Sequence, residues 1–176
     1  VPYVIDASLA PSTTVVEAIH DAMHLLELFT SLRFVEYTDD ANYIRFTESA
    51  GVCNSAVGMI GGEQLIRLDG THACPAGTIQ HELLHACGWF HEQSRPDRND
   101  YVTIYPENIR STSLHNFDIV DCADEVGTGN CLLQGTPEKP SPFDFNSIMI
   151  YERDAFCIRD TSNNCVGDTM TPIEAQ

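Results

Sequence analysis

The apolar positions along the chain change period several times, and each change predicts an element. Residues 1–8 (VPYVIDAS) alternate well enough for a strand, and Pro11 and Ser12 break it. Thr14 and Glu17 stand three apart, as in a capping box, and Val15, Ile19, Ala22, Leu26 and Phe29 follow at helical spacing. The spacing predicts an amphipathic helix over about 14–30. Leu32–Tyr37 and Tyr43–Thr47 read as strands joined by the polar turn Thr38–Asn42, and Ser49–Asn54 reads as loop. Gly61-Gly62 marks a turn, Gln64–Leu68 alternates as a short strand, and Asp69-Gly70 closes it. Ile79–Phe90 returns to helical spacing, with a stop at Gly88. Residues 92–100 are polar and read as loop. Asn108–Ile119 reads as a short helix, and 121–145 has no clear period. The first half is therefore mixed strand and helix, the second half is loop-rich, and the division falls near Gly88.

Composition narrows the class. A chain of 176 residues with 43% apolar content fits one globular domain, or two small lobes, and argues against disorder. Acidic residues number 26 against 9 basic ones, a net charge of −17. A nucleic-acid partner needs a basic footprint, so that class is excluded, and docking on anionic membrane is disfavoured. No apolar run approaches the roughly 18 residues of a membrane span. The seven cysteines contain no CxxC pair, which removes zinc-ribbon and thioredoxin-like readings. Cys122 and Cys131 bracket one polar loop, Cys157 and Cys165 bracket another, and Cys53 and Cys74 could close a larger one. Cys87 is the candidate for the odd thiol, because it lies inside a helical pattern. Sequence leaves the pairings open. This usage favours a secreted, extracellular protein. The first ten residues have no basic segment followed by an apolar one, so the chain reads as processed or as a piece of a longer one.

The chemistry concentrates in HELLHACGWFHE. His81 and His85 are one helical turn apart, so both imidazoles can face one ion. Glu82 sits beside them and can reach a metal-bound water without being a ligand. Gly88 can adopt positive φ, so the helix can stop there and the chain can swing His91 back as a third ligand. Three nitrogens and an open position describe a catalytic zinc rather than a structural one. A bare HExxH arises by chance in about 2% of chains this long, whereas the full HExxHxxGxxH falls to about one in ten thousand. His20 and His24 also stand four apart, but no acid or third ligand is near them in sequence, and they read as ordinary surface residues. The long motif is the metzincin signature, which asks for a later methionine in a turn, and Ser147-Ile148-Met149-Ile150-Tyr151 supplies one.

With EQSRPDRNDYV after the motif and the SIMxY turn beyond it, the chain resembles the astacin family of zinc endopeptidases. VPY at the start, GGEQLIRL, NFD at 116–118, FDFNSIM and TMTP match further landmarks, so the likeness spans nearly the whole chain. The resemblance implies an α+β fold: a metzincin-like two-lobed catalytic domain with sub-lobes of about 1–88 and 89–176. The N-terminal lobe would hold a mixed twisted sheet and two long helices, the C-terminal lobe would be loop-rich, and zinc would lie in the cleft between. It implies one catalytic zinc ion held by His81, His85 and His91, with Tyr151 as an extra ligand that swings off to stabilise the transition state. Glu82 would be general base and acid. Gly88, Glu92 and Met149 would be structural supports, with Met149 an apolar floor under the metal. Cys87 would be a buried apolar contact.

A peptide substrate would lie along Gln64, Leu65, Ile66, Arg67 and Leu68, taken as the edge strand, and pair with its backbone. Cys53–Cys74 corresponds to a disulfide common in the family; Cys122–Cys131 and Cys157–Cys165 would be local additions. The chain departs from the family at Ile150, where histidine is usual, and at Ser31, where cysteine is common. The family's mature N-terminus lies upstream of Val1 and tucks in near the glutamate equivalent to Glu92. The family's C-terminal tail, which helps form a primed-side pocket, lies beyond Gln176. The expectation is a secreted, monomeric zinc endopeptidase that cleaves peptides or proteins with metal-activated water. A silent zinc-bearing binding module and a zinc hydrolase of a non-peptide substrate are the alternatives.

Overall fold

The computed structural model describes residues 1–71, 74–120, 135–136, 139–140 and 141–173. Contacts divide the chain into two units, Val1–Trp89 and Phe90–Gln176. Cys122 and Cys131 lie outside the described residues.

The first unit is a five-stranded mixed sheet with two helices. Its strands are β1 (Pro2–Ile5), β2 (Val35–Glu36), β3 (Tyr43–Glu48), β4 (Asn54–Ser55) and β5 (Glu63–Leu68), and its helices are α1 (Thr13–Phe29) and α2 (Ala76–Ala86). The spatial order is β2-β1-β3-β5-β4, parallel except for β4, which runs antiparallel to β5. Parallel neighbours need a long crossover, and α1 supplies the one after β1. The core follows the two periodicities: Val15, Ile19, Ala22 and Leu26 from α1 meet Ile44 and Phe46 of β3, Ile66 and Leu68 of β5, and Ile79 and Leu83 of α2.

Three expectations change here. The predicted capping box does not form. The helix begins one residue earlier, behind Ser12, whose hydroxyl donates to Gly70 O at 3.0 Å instead of capping α1. The loop read at 49–54 ends in a strand, β4, too short to show a period. Most consequentially, Gln64–Leu68 is not the edge. Strand β5 pairs along its whole length with β3 and at Ile66 and Arg67 with β4, so it lies inside the sheet.

Among its described residues the second unit has little regular structure. Strand β6 (Val102–Ile104) pairs antiparallel with β9 (Met170–Pro172), and β7 (Gly135–Thr136) pairs with β8 (Lys139–Pro140). The helix read over Asn108–Ile119 is a 3₁₀ segment at Ser111–Phe117. A core of Val102, Ile109, Phe117, Phe143 and Met170 holds the loops together. The polar run after His91 is not a solvated loop: Glu92, Gln93, Ser94 and Arg95 are all buried. Arg95 makes this possible. Its guanidinium donates to Glu92 at 2.8 Å, to Asp97 at 2.8 and 2.9 Å and to Ser141 O at 2.7 Å, and lies over the Phe143 ring. Among the described residues Cys53–Cys74 and Cys157–Cys165 are disulfides and Cys87 is a free thiol.

Phe46 is fully buried in the core of the first unit, so Phe46→Ala should destabilise that unit by about 3–5 kcal/mol. Urea denaturation followed by circular dichroism should show the lowered midpoint; an unchanged midpoint would mean this residue is not at the centre of the core.

Candidate functional site

Helix α2 buries one face through Ile79, Leu83 and Ala86, which leaves the strip carrying His81 and His85 for other work. Their ring centroids are 4.5 Å apart and the planes are perpendicular. His85 Nδ1 lies 2.8 Å from Trp89 O. A carbonyl only accepts, so Nδ1 carries the proton and Nε2 keeps its lone pair for a metal. The helix stops in a Schellman turn. Gly88 N–H donates to His85 O at 2.8 Å and Trp89 N–H to Leu84 O at 3.0 Å. Gly88 takes φ of 99°, a conformation that a side chain would strain. The reversal brings His91 to the other two histidines, and the ligand atoms of His81, His85 and His91 all lie within 4.8 Å of one another.

That donor set fits zinc: three imidazoles with, among the described residues, no thiolate beside them, and the Trp89 carbonyl fixing the His85 ring. Among the described residues one other cluster has metal-ligand types, Asp154 with Cys157 and Cys165, but both sulfurs are spent in a disulfide. His20 and His24 are exposed on α1 and join no such group. Burial lowers the His85 pKa to about 4, against a smaller opposing effect of its bond to Trp89, which keeps the ring neutral and ligand-competent. Burial also raises the Cys87 thiol, so it stays protonated.

Glu82 is 6% exposed and raised to about 7 by that burial, with a backbone hydrogen bond from Ser55 of β4 opposing the rise. The edge strand thus reaches the carboxylate beside the histidines. Nothing in the sequence pattern singles out Ser55, because its contribution is a main-chain N–H.

In the second unit, Ser147–Tyr151 forms a turn. Met149 N–H donates to Ser147 Oγ at 3.1 Å, and Met149 is 1% exposed. Glu92 N–H donates to Met149 O at 2.8 Å, and Gln93 Oε1 accepts from Tyr151 N–H at 3.1 Å. The Tyr151 ring lies 4.3 Å from that of His91 and packs edge-on against Phe117. The Glu92 carboxylate takes Arg95 at 2.8 Å and Asp144 N–H at 2.9 Å, while the Val1 ammonium donates to Arg33 O. A cavity of about 510 Å³ opens beside Tyr151, lined by Val102, Ile148, Ile150 and Met170, with Arg153 also in its wall. Arg153 is paired with Asp168. Gln93 and Arg95 escaped notice in the sequence because they sit in a polar run that looks solvated.

The family model for the astacin peptidases matches residues 1–176. The chain belongs to the astacin family. High choriolytic enzyme 1 of Oryzias latipes is 36% identical over 173 residues, covering 98% of this chain and 56% of that protein. Meprin A subunit beta of Rattus norvegicus is 37% identical over 157 residues, covering 89% of this chain and 20% of that one. The solved structure of high choriolytic enzyme 1, a hatching enzyme zinc-protease from medaka, superposes with a TM-score of 0.81 at 35% identity, covering 99% of this chain and 76% of that one. The chain thus spans about half the length of the choriolytic enzymes. The fold is the α+β, metzincin-like fold of an astacin, and zinc is the metal that astacins use.

The raised Glu82 pKa has a measurable sign. Its neutral form contributes stability that is complete below about pH 4.5 and lost as the pH rises through about 7. Metal-free Glu82→Gln, which cannot ionise, should therefore match the metal-free parent at about pH 4 and exceed it at about pH 8 by about 1–2 kcal/mol. Thermal unfolding across that range would detect it; a constant difference would mean that Glu82 ionises normally.

Proposed function

We propose that this chain is the catalytic domain of a secreted zinc endopeptidase. The observation that carries the reading is the convergence of three histidines with Glu82 buried beside them. Zinc bound by His81, His85 and His91 would supply Lewis acidity, acidifying water to a pKa near 7 and polarising the scissile carbonyl. Glu82 takes the proton from the attacking water and later delivers it to the leaving amine. Burial favours the proton-holding form of this carboxyl, which the delivery step needs. Tyr151, with its ring against His91, would donate its hydroxyl to the oxyanion. Met149 is the apolar floor and Gly88 the turn; neither takes part in proton transfer. No covalent intermediate with the chain forms.

The extended peptide pairs on the outer edge of β4 rather than along Gln64–Leu68. Two facts support this: β4 is the last strand of its sheet, and Ser55 within it touches Glu82. The cavity lined by Val102, Ile148, Ile150 and Met170 would take a substrate side chain, and its lining favours an apolar one. Arg153 does little to attract an acidic side chain while Asp168 offsets it. The two disulfides support folding in an oxidising compartment. Among the described residues no helix is long and apolar enough to cross a membrane. The chain acts as a monomer on a peptide or protein substrate.

Cleavage of a quenched-peptide library should be abolished by a zinc chelator and restored by zinc. Glu82→Ala should lower kcat by about 10³-fold while retaining zinc. Tyr151→Phe should lower it by about 10²-fold. A folded, zinc-loaded parent that cleaves no peptide would favour a binding module or a non-peptide substrate.

A further inference from the structure

We propose that Gln93 is a positioning residue for catalysis: its side-chain amide sets the place of Tyr151 beside His91. The inference rests on the reading of Tyr151 as the oxyanion donor and adds a residue to it.

The geometry is compact. Residues 91–93 run without a break from a metal-group histidine into two clamps on the Ser147–Tyr151 turn. Glu92 grips the turn through its main chain, donating to Met149 O at 2.8 Å. Gln93 grips it through its side chain, accepting Tyr151 N–H at Oε1 at 3.1 Å. The first bond holds the middle of the turn and survives any change of the Gln93 side chain. The second acts on the peptide that carries the tyrosine itself. The Tyr151 ring then lies 4.3 Å from His91 at an interplanar angle of 51°, and 5.2 Å from Phe156. Phe156 and Phe117 back the ring, while the bond to Gln93 fixes its root.

Gln93 is a poor choice if its task were packing alone. It is fully buried, and its amide nitrogen Nε2 has no hydrogen-bond partner among the described residues. The amide cannot turn over to relieve this. Tyr151 N–H can only donate, so it requires Oε1 where Oε1 is. A buried amide with an unsatisfied donor lowers stability. An apolar side chain of the same length would remove that group, leaving Tyr151 N–H unsatisfied in its place. The two losses are of one kind, so the exchange should be close to neutral for folding. What it removes is the direction imposed on Tyr151. Local rules broken without a stability gain mark functional positions.

The test compares Gln93→Met, which keeps length and removes the acceptor, with Gln93→Glu, which keeps an oxygen in the same place. Both are made in the parent and in Tyr151→Phe, and all are assayed as zinc-loaded chains on one quenched peptide chosen from the library. Thermal midpoint and zinc retention against a competing chelator are read on every variant. Gln93→Met should keep its thermal midpoint within a few degrees and keep its zinc. Its kcat should fall by about 10- to 100-fold with little change in KM, because a misplaced group acts on the transition state. Gln93→Glu should recover most of that loss. In Tyr151→Phe, Gln93→Met should cost little further, since the hydroxyl it positions is gone.

The same fold-loss in both backgrounds, or a fall in midpoint that tracks the fall in kcat, would overturn the inference while leaving Tyr151 in its role. A Tyr151→Phe chain as active as the parent would overturn the reading of Tyr151 and the inference with it. If Gln93→Met does not fold, Gln93→Glu decides: retained kcat supports positioning through the oxygen, and a lost kcat in a folded, zinc-loaded chain refutes it.

Discussion

Three imidazoles can serve one ion only if their nitrogens converge within a few ångström, and a single helix face provides just two in register. The third must come from a chain that leaves the helix sharply and returns. Gly88 meets that constraint through a positive φ and the two hydrogen bonds that close the end of α2. One of those bonds ends on His85 O, and Trp89 in the same turn supplies the carbonyl that orients the His85 ring. Helix termination and ligand orientation are therefore a single structure. Replacing Gly88 would disturb both at once.

Burial sets the protonation states that the chemistry needs. Glu82 and His85 are each 6% exposed, and desolvation moves both toward their neutral forms. For the histidine that means an open lone pair. For the glutamate it means a carboxyl that holds its proton more readily than an exposed one. The chain as a whole carries a net charge of −17, yet Glu92, the most buried carboxylate among the described residues, is paired with a buried arginine. Removing Arg95 would leave a buried charge uncompensated, the costly way to break such a pair. Its bonds also reach Asp97, Ser141 and Pro142, so one guanidinium organises the approach to the methionine turn.

The second unit shows how a loop-rich segment becomes definite without long elements. Its order comes from polar side chains that satisfy main-chain groups: Asn108 on Asp168 O, Thr169 on the carbonyls of Arg153 and Ala155, Gln93 on Tyr151. Stacked rings and one disulfide add to them. Such bonds need particular residues at particular places, and they leave no period in the sequence.

What could be read from the sequence alone was whatever depends on neighbours along the chain. The helix of α1 was legible because Val15, Ile19, Ala22 and Leu26 repeat every turn. The metal group was legible because His81, His85, Gly88 and His91 lie within eleven residues, where helix geometry and one glycine dictate their convergence. The tertiary structure decided what depends on strangers in sequence. It made β5 an interior strand by laying the two residues of β4 along it, which moved the free edge away from Gln64–Leu68. It drew Ser12 from a helix cap to Gly70, and it buried Glu92, Gln93 and Arg95, whose composition suggested solvent. Periodicity reports which face of an element is apolar. It does not report which main-chain groups lack a partner, and strand order and the polar supports of the site are settled by satisfying those groups.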